Sequence, residues 1–179
     1  MTHLRVSNMK IDITKTALEN IVLQVVEDNP GLILTADQVT LGAVSNFFGD
    51  PQNTQVTLTA VEGQGFTGTK LVKYVRLDMN SGVAVPVTTL EVLAADNQAA
   101  VQTKVAVALG LIETELTFSA YTAAVDDATP GTITVAATAG GLLYAGAAKT
   151  IAITVPAVPD PDLEDEIVID ELSGFDPEA

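Results

Sequence analysis

The sequence predicts an α+β chain. Two tandem helix-plus-antiparallel-hairpin modules, residues 1–82 and 83–155, are followed by an extended acidic carboxyl-terminal arm, residues 156–179. Three observations predict this. First, short segments recur at nearly constant spacing. Val56-Thr-Leu-Thr-Ala60 returns as Ile133-Thr-Val-Ala-Ala137 (133 − 56 = 77), and Val39-Thr-Leu41 returns as Leu116-Thr-Phe118 at the same offset. Phe66-Thr-Gly68 returns as Tyr144-Ala-Gly146 at 78, and Gly31-Leu32 as Gly110-Leu111 at 79. A fixed period reports architecture before it reports chemistry. Second, each half changes from helical to alternating apolar periodicity. Third, the composition turns to proline and acids after Val155.

Residues 1–13 read as an extended lead-in, with Ile11 and Ile13 alternating with polar neighbours. Thr16-Ala-Leu-Glu19 fits a capping box, in which hydroxyl and carboxylate each satisfy an orphan backbone N–H. Leu18, Ile21, Val22, Val25 and Val26 then share one helical face. Asp28-Asn-Pro-Gly31 stops the helix, because Pro30 disfavours helical geometry at Asn29. From about Asp37 the period is two. Val39–Leu41 and Gln55–Ala60 read as strands, Gly63–Gly68 as a turn, and Lys70–Asp78 as the returning strand of a hairpin.

The second half repeats the order. Val83, Val85 and Val87 form a lead-in, and Pro86 confines any strand there to an edge. Asp96 is the expected N-cap of a helix burying Val101, Val105, Ala108 and Leu109 and ending near Gly110. Strands at Glu115–Ser119, Thr132–Ala137 and Thr150–Val155 follow, the last two joined through Gly140-Gly141. Pro156-Ala-Val-Pro-Asp-Pro161 reads as a stiff linker into the arm.

Composition excludes several function classes. Eight Lys and Arg face twenty-three Asp and Glu, a formal charge of −15. Nucleic-acid binding needs cationic phosphate contacts, and anionic lipid repels such a chain, so neither partner is expected. No cysteine is present, which removes disulfides, thiolate metal sites and a Cys nucleophile. No export signal or run of about 18 apolar residues is seen.

Candidate chemistry is sparse. His3 is the only histidine and lies in the lead-in, so Ser–His–acid catalysis and a His-based metal site are not expected. Gly63-Gln-Gly-Phe-Thr-Gly68 is followed by a strand pattern, whereas a phosphate loop needs a helix there, so it reads as a hairpin turn. Asp160-Pro-Asp-Leu-Glu-Asp165 lacks the glycine of a calcium loop. No cofactor or metal is expected, and no enzyme.

Two interface candidates remain. Lys70, Lys73 and Arg76 hold three of the eight cations within one strand and could receive an acidic neighbour. Ile167, Val168, Ile169, Leu172 and Phe175 form an apolar cluster in the acidic arm, suited to adding a strand to a neighbouring sheet edge. Copies of the chain itself are therefore expected partners.

Leu34-Thr-Ala-Asp-Gln-Val-Thr-Leu-Gly42, Asn53-Thr-Gln-Val-Thr-Leu-Thr-Ala60, Gly65-Phe-Thr-Gly68 and Tyr74-Val-Arg-Leu-Asp78 together resemble a module of tailed-bacteriophage (myovirus-type) virion structural proteins. The likeness covers residues 16–78 well and 88–155 loosely. It implies a non-enzymatic virion component, above all a head decoration or accessory protein. Neck, tail or fibre attachment comes next, and a non-viral binding adaptor is the other class. The resemblance also implies other virion proteins as partners, the major capsid protein among them, and synthesis in the host bacterial cytoplasm.

Overall fold

The computed structural model describes residues 11–49, 52–79, 87–124 and 129–156. The protein is a mixed α+β fold with two α-helices and several sheets among these residues. In chain order these are α1 (Ala17–Asp28), β1 (Val39–Leu41), β2 (Ser45–Asn46), β3 (Thr54–Ala60), β4 (Thr69–Tyr74) and β5 (Leu77–Asp78). They are followed by β6 (Thr89–Glu91), α2 (Gln98–Leu109), β7 (Leu116–Phe118), β8 (Gly131–Ala137), β9 (Tyr144–Ala145) and β10 (Lys149–Thr154).

The capping box at α1 forms as expected. Thr16 Oγ1 accepts from Glu19 N at 3.3 Å, and Glu19 Oε2 accepts from Thr16 N at 2.7 Å. The backbone N–H of Thr16, with its hydroxyl, holds the Glu19 carboxyl below the usual carboxylate range. At α2 the expected cap is corrected. Asn97, not Asp96, is the N-cap, and its side chain accepts from Ala100 N at 3.0 Å. Asp96 instead accepts from Leu93 N at 2.8 Å and pairs with Lys104. The inward face of α2 also differs by one position, since Ala106 is buried and Ala108 only half-buried.

β3 is the centre of the first sheet. β1 and β2 share one of its edges end to end, and β4 runs antiparallel along the other. β8 holds the same position in the second sheet, between β7 and β10. The registers agree at one offset. Val39 pairs Ala60 and Leu116 pairs Ala137; Ser45 pairs Gln55 and Thr122 bridges Thr132; each is 77 residues on. Side-chain bonds follow suit, with Thr40 Oγ1 donating to Thr59 O and Thr117 Oγ1 to Ala136 O. Glycines at positive φ close both hairpins at matching places, Gly63 with Gly140 and Gly68 with Gly146.

The expected single strand Lys70–Asp78 is corrected to two. Arg76 N bonds Asn53 Oδ1 at 3.1 Å, which takes the backbone out of the β3 ladder. Leu77–Asp78 then pairs parallel with Tyr144–Ala145 of the other half. Among the described residues only the second sheet gains a further strand, β6, parallel to β10.

The main core crosses the boundary between residues 82 and 83. Ile21, Val56, Tyr74 and Met79 pack in one cluster with Val101, Val105, Ile133, Leu143, Tyr144 and Ile151. Met79 is 1% exposed, and burial of this kind contributes about 1.5–3 kcal/mol per side chain. A smaller cluster of Val22, Val39 and Leu58 packs α1 on the first sheet, with Leu18, Val25 and Val72 around it.

Candidate functional site

A cleft of about 700 Å³ lies between α1 and β4. Its walls carry Ile21, Gln24, Val25 and Asp28 from the helix and Lys70 to Tyr74 from the strand, with Phe66 nearby. The lining exists because β4 turns only part of itself inward. Val72 and Tyr74 join the cores, while Lys70, Leu71 and Lys73 are exposed. Among the described residues β4 pairs only with β3, so its outer edge carries no strand.

The three cations of the expected basic spot have different surroundings. Lys70 and Lys73 line the cleft, and Lys73 Nζ also stands 3.9 Å over the Phe47 ring. Arg76 is half-buried and engaged inside the fold. Its Nε donates to Thr54 Oγ1 at 2.9 Å and its NH1 to Gly141 O at 3.4 Å. Arg76 thus joins β3 to the β8–β9 turn, and its guanidinium bonds lie within the chain. The arm residues Ile167, Val168, Ile169, Leu172 and Phe175 lie outside the described residues.

Gln24 has a distinctive place in the helix wall. Its Nε2 is buried and lacks a hydrogen-bond partner among the described residues, although its side chain lines the cleft. A buried amide donor without an acceptor costs about 1–3 kcal/mol, which an incoming carbonyl would recover.

The corresponding region of the second half is closed. Its helix presents Val105, Ala106 and Leu109, all buried, at the positions that Gln24, Val25 and Asp28 occupy in α1 when the N-caps Thr16 and Asn97 are matched. Tyr144, the counterpart of Phe66, is 0% exposed, and its hydroxyl accepts from Ile112 N at 2.9 Å. Leu77 N donates to Leu143 O at 2.8 Å and Met79 N to Ala145 O at 3.0 Å. The segment 77–79 of the first half thus fills the second half's cleft, and Tyr74 OH, donating to Leu142 O at 2.8 Å, fastens it.

The sequence carried a signal for this difference. A comparison of the two helices position by position sets polar Gln24 and Asp28 against apolar Val105 and Leu109. Among the described residues no group of His, Cys, Asp and Glu is arranged to hold a metal ion. No helix there is long and apolar enough to cross a membrane.

The family of unknown function DUF7941 matches residues 11–176, and the chain belongs to that family. No curated protein and no solved structure matches it.

Proposed function

We propose that this member of the DUF7941 family is a non-enzymatic structural protein of a tailed-phage virion, above all a head decoration or accessory protein. The observation that carries the structural reading is the open α1–β4 cleft beside the β4 edge, which is unpaired among the described residues. Its counterpart in the second half is filled by a segment of the chain itself, so the first half keeps a face shaped for a protein strand rather than a small substrate. The matched registers of β1–β3 and β7–β8 support descent of both halves from one duplicated module. The charge of −15 suits a protein that stays soluble until it assembles. The placement in a virion is supported by the resemblance of residues 16–78 to phage structural modules. Other virion proteins, including the major capsid protein, are the partners on this reading. The acidic residues from Asp160 onward form an arm on the same reading.

Gradient-purified particles from cells producing this chain provide the test. The expected result is co-migration of the protein with intact particles, at a fixed copy number that survives washing. Its recovery only in the fraction free of particles would overturn the virion reading.

A further inference from the structure

Two segments, 77–79 and 89–91, each dock within the chain. Leu77–Asp78 runs parallel along Tyr144–Ala145 in the second half's cleft. Ten to twelve residues later (from 77–79 to 89–91), Thr89–Glu91 adds a parallel strand to the outer edge of β10. Both receiving places have counterparts in the first half, and both are bare among the described residues. Tyr144–Ala145 corresponds to Phe66–Thr67, as the positive-φ glycines 68 and 146 show. The outer edge of β10 corresponds to the outer edge of β4.

The donor also has a counterpart. Thr54 pairs Tyr74 and Gly131 pairs Ile153, so β4 maps onto β10 at an offset of 79 (153 − 74). Residues 77–91 therefore map onto 156–170, which open the arm. The second docking step, Thr89-Leu-Glu91, falls on Val168-Ile-Asp170, at the end of the apolar run Ile167-Val-Ile169.

We infer that residues 156–170 of one copy dock on the first half of a second copy as residues 77–91 dock on the second half of their own chain. Val158 lies along Phe66–Thr67 as Met79 lies along Tyr144–Ala145, whereas Pro156 lacks the N–H that Leu77 uses, and Val168–Asp170 adds a parallel strand to the β4 edge that is unpaired among the described residues. The inference rests on the structural reading proposed above and names the partner of that face.

Charge selects this acceptor. Residues 156–170 carry six acids (Asp160, Asp162, Glu164, Asp165, Glu166 and Asp170), and β4 carries Lys70 and Lys73, whose β10 counterparts are Lys149 and Ala152. The internal donor, residues 77–91, carries two acids, Asp78 and Glu91. The more acidic donor thus matches the edge with two lysines and the less acidic donor the edge with one. Gln24 Nε2 supplies a further contact, since an incoming backbone carbonyl is the acceptor it lacks. The donor is assigned to another copy because Pro156 of the same chain is exposed and does not line the cleft. Such an exchange is head-to-tail and closes into a ring or extends as a filament.

Full-length variants test this. Lys70→Glu/Lys73→Glu removes the acceptor charge but keeps the arm. Ile167→Lys/Ile169→Lys removes the donor strand but keeps the cleft. Analytical ultracentrifugation should show wild type as a multimer whose mass rises with concentration, each variant as a monomer, and their equal mixture as a dimer. Circular dichroism confirms that both variants remain folded. A wild-type chain that stays monomeric, or variants that assemble as wild type does, would overturn the inference. Because the chain has no cysteine, a second readout is clean. A Lys73→Cys chain mixed with a Val168→Cys chain, the pair that corresponds to Ala152 and Thr89, should give the disulfide-linked heterodimer. In the doubly substituted chain, a link closing only within one monomer would equally overturn it. These measurements use no phage particles, so their failure is separate from failure of the virion reading.

Discussion

Tyr74 and Leu142 are 68 residues apart in sequence and joined by one hydrogen bond, the phenol donating to the carbonyl at 2.8 Å. Burial pushes the Tyr74 phenol up to about 12. The bond lies at the seam between the halves, beside Arg76 on Gly141 O and β5 on β9.

Tyr74→Phe removes that donor and keeps the ring. The expected loss is about 0.5–1.5 kcal/mol, read from the urea midpoint at neutral pH. The same residue sets part of the alkaline limit. Its proton is held more tightly in the folded chain, so its contribution is complete below about pH 10 and declines as pH rises through about 12. Thermal melts from pH 9 upwards should fall less steeply for the Phe variant than for wild type. Equal slopes would show that Tyr74 does not govern that limb.

Glu115 reaches the same turn from the other side. Its Oε2 accepts from Leu142 N at 2.6 Å and Leu143 N at 3.1 Å. Glu115→Ala leaves two N–H groups without this acceptor and should cost about 1–3 kcal/mol, or about 2–4 °C of Tm per kcal/mol for a chain of this length. Glu115→Gln retains a neutral acceptor and should lose less. Calorimetry of the three proteins ranks them.

Tyr144→Phe removes the acceptor for the buried Ile112 N–H. A loss of about 1–3 kcal/mol is expected, with faster hydrogen exchange at Ile112. An unchanged exchange rate there would mean that another acceptor takes over.

Two glycines should differ in kind. An alanine Cβ at Gly131 would overlap the Thr122 carbonyl and Ala124 N, so Gly131→Ala must part β8 from the Thr122 bridge. A loss of about 1–3 kcal/mol or more follows from such overpacking. Gly110 sits at φ 66 with open space around it, so Gly110→Ala meets only the left-handed backbone penalty of about 1–2 kcal/mol. Lowered temperature of refolding does not separate them, but the β8 amide shifts in NMR spectra do: they should move in the first variant only.

Local chemistry made the two helices and most strands legible. The Thr16–Glu19 box, the Pro30 stop and the alternation in Val56–Ala60 each act within a few residues. The seam was not legible, because it depends on partners far apart. Nothing near Arg76 announces Gly141, and nothing near Glu115 announces Leu142. Arg76 read as a surface cation because its neighbours Lys70 and Lys73 are cations. Strand periodicity separates Lys73 from Lys70, and the turn of the chain at Arg76 takes its guanidinium inward. The cleft was half-legible, since the polar positions Gln24 and Asp28 could be read against Val105 and Leu109 only after the helices were aligned by their caps.

The shared core has a consequence for biosynthesis. Ile21, Val56, Tyr74 and Met79 emerge from the ribosome before any of their partners in α2, β8, β9 and β10 exist. At about 5–20 residues per second, completion of β10 follows Met79 by about 4–15 s. During that interval the nascent first half presents apolar surface to its surroundings. Slow codons placed after Met79 would lengthen this exposure and increase capture by holdase chaperones.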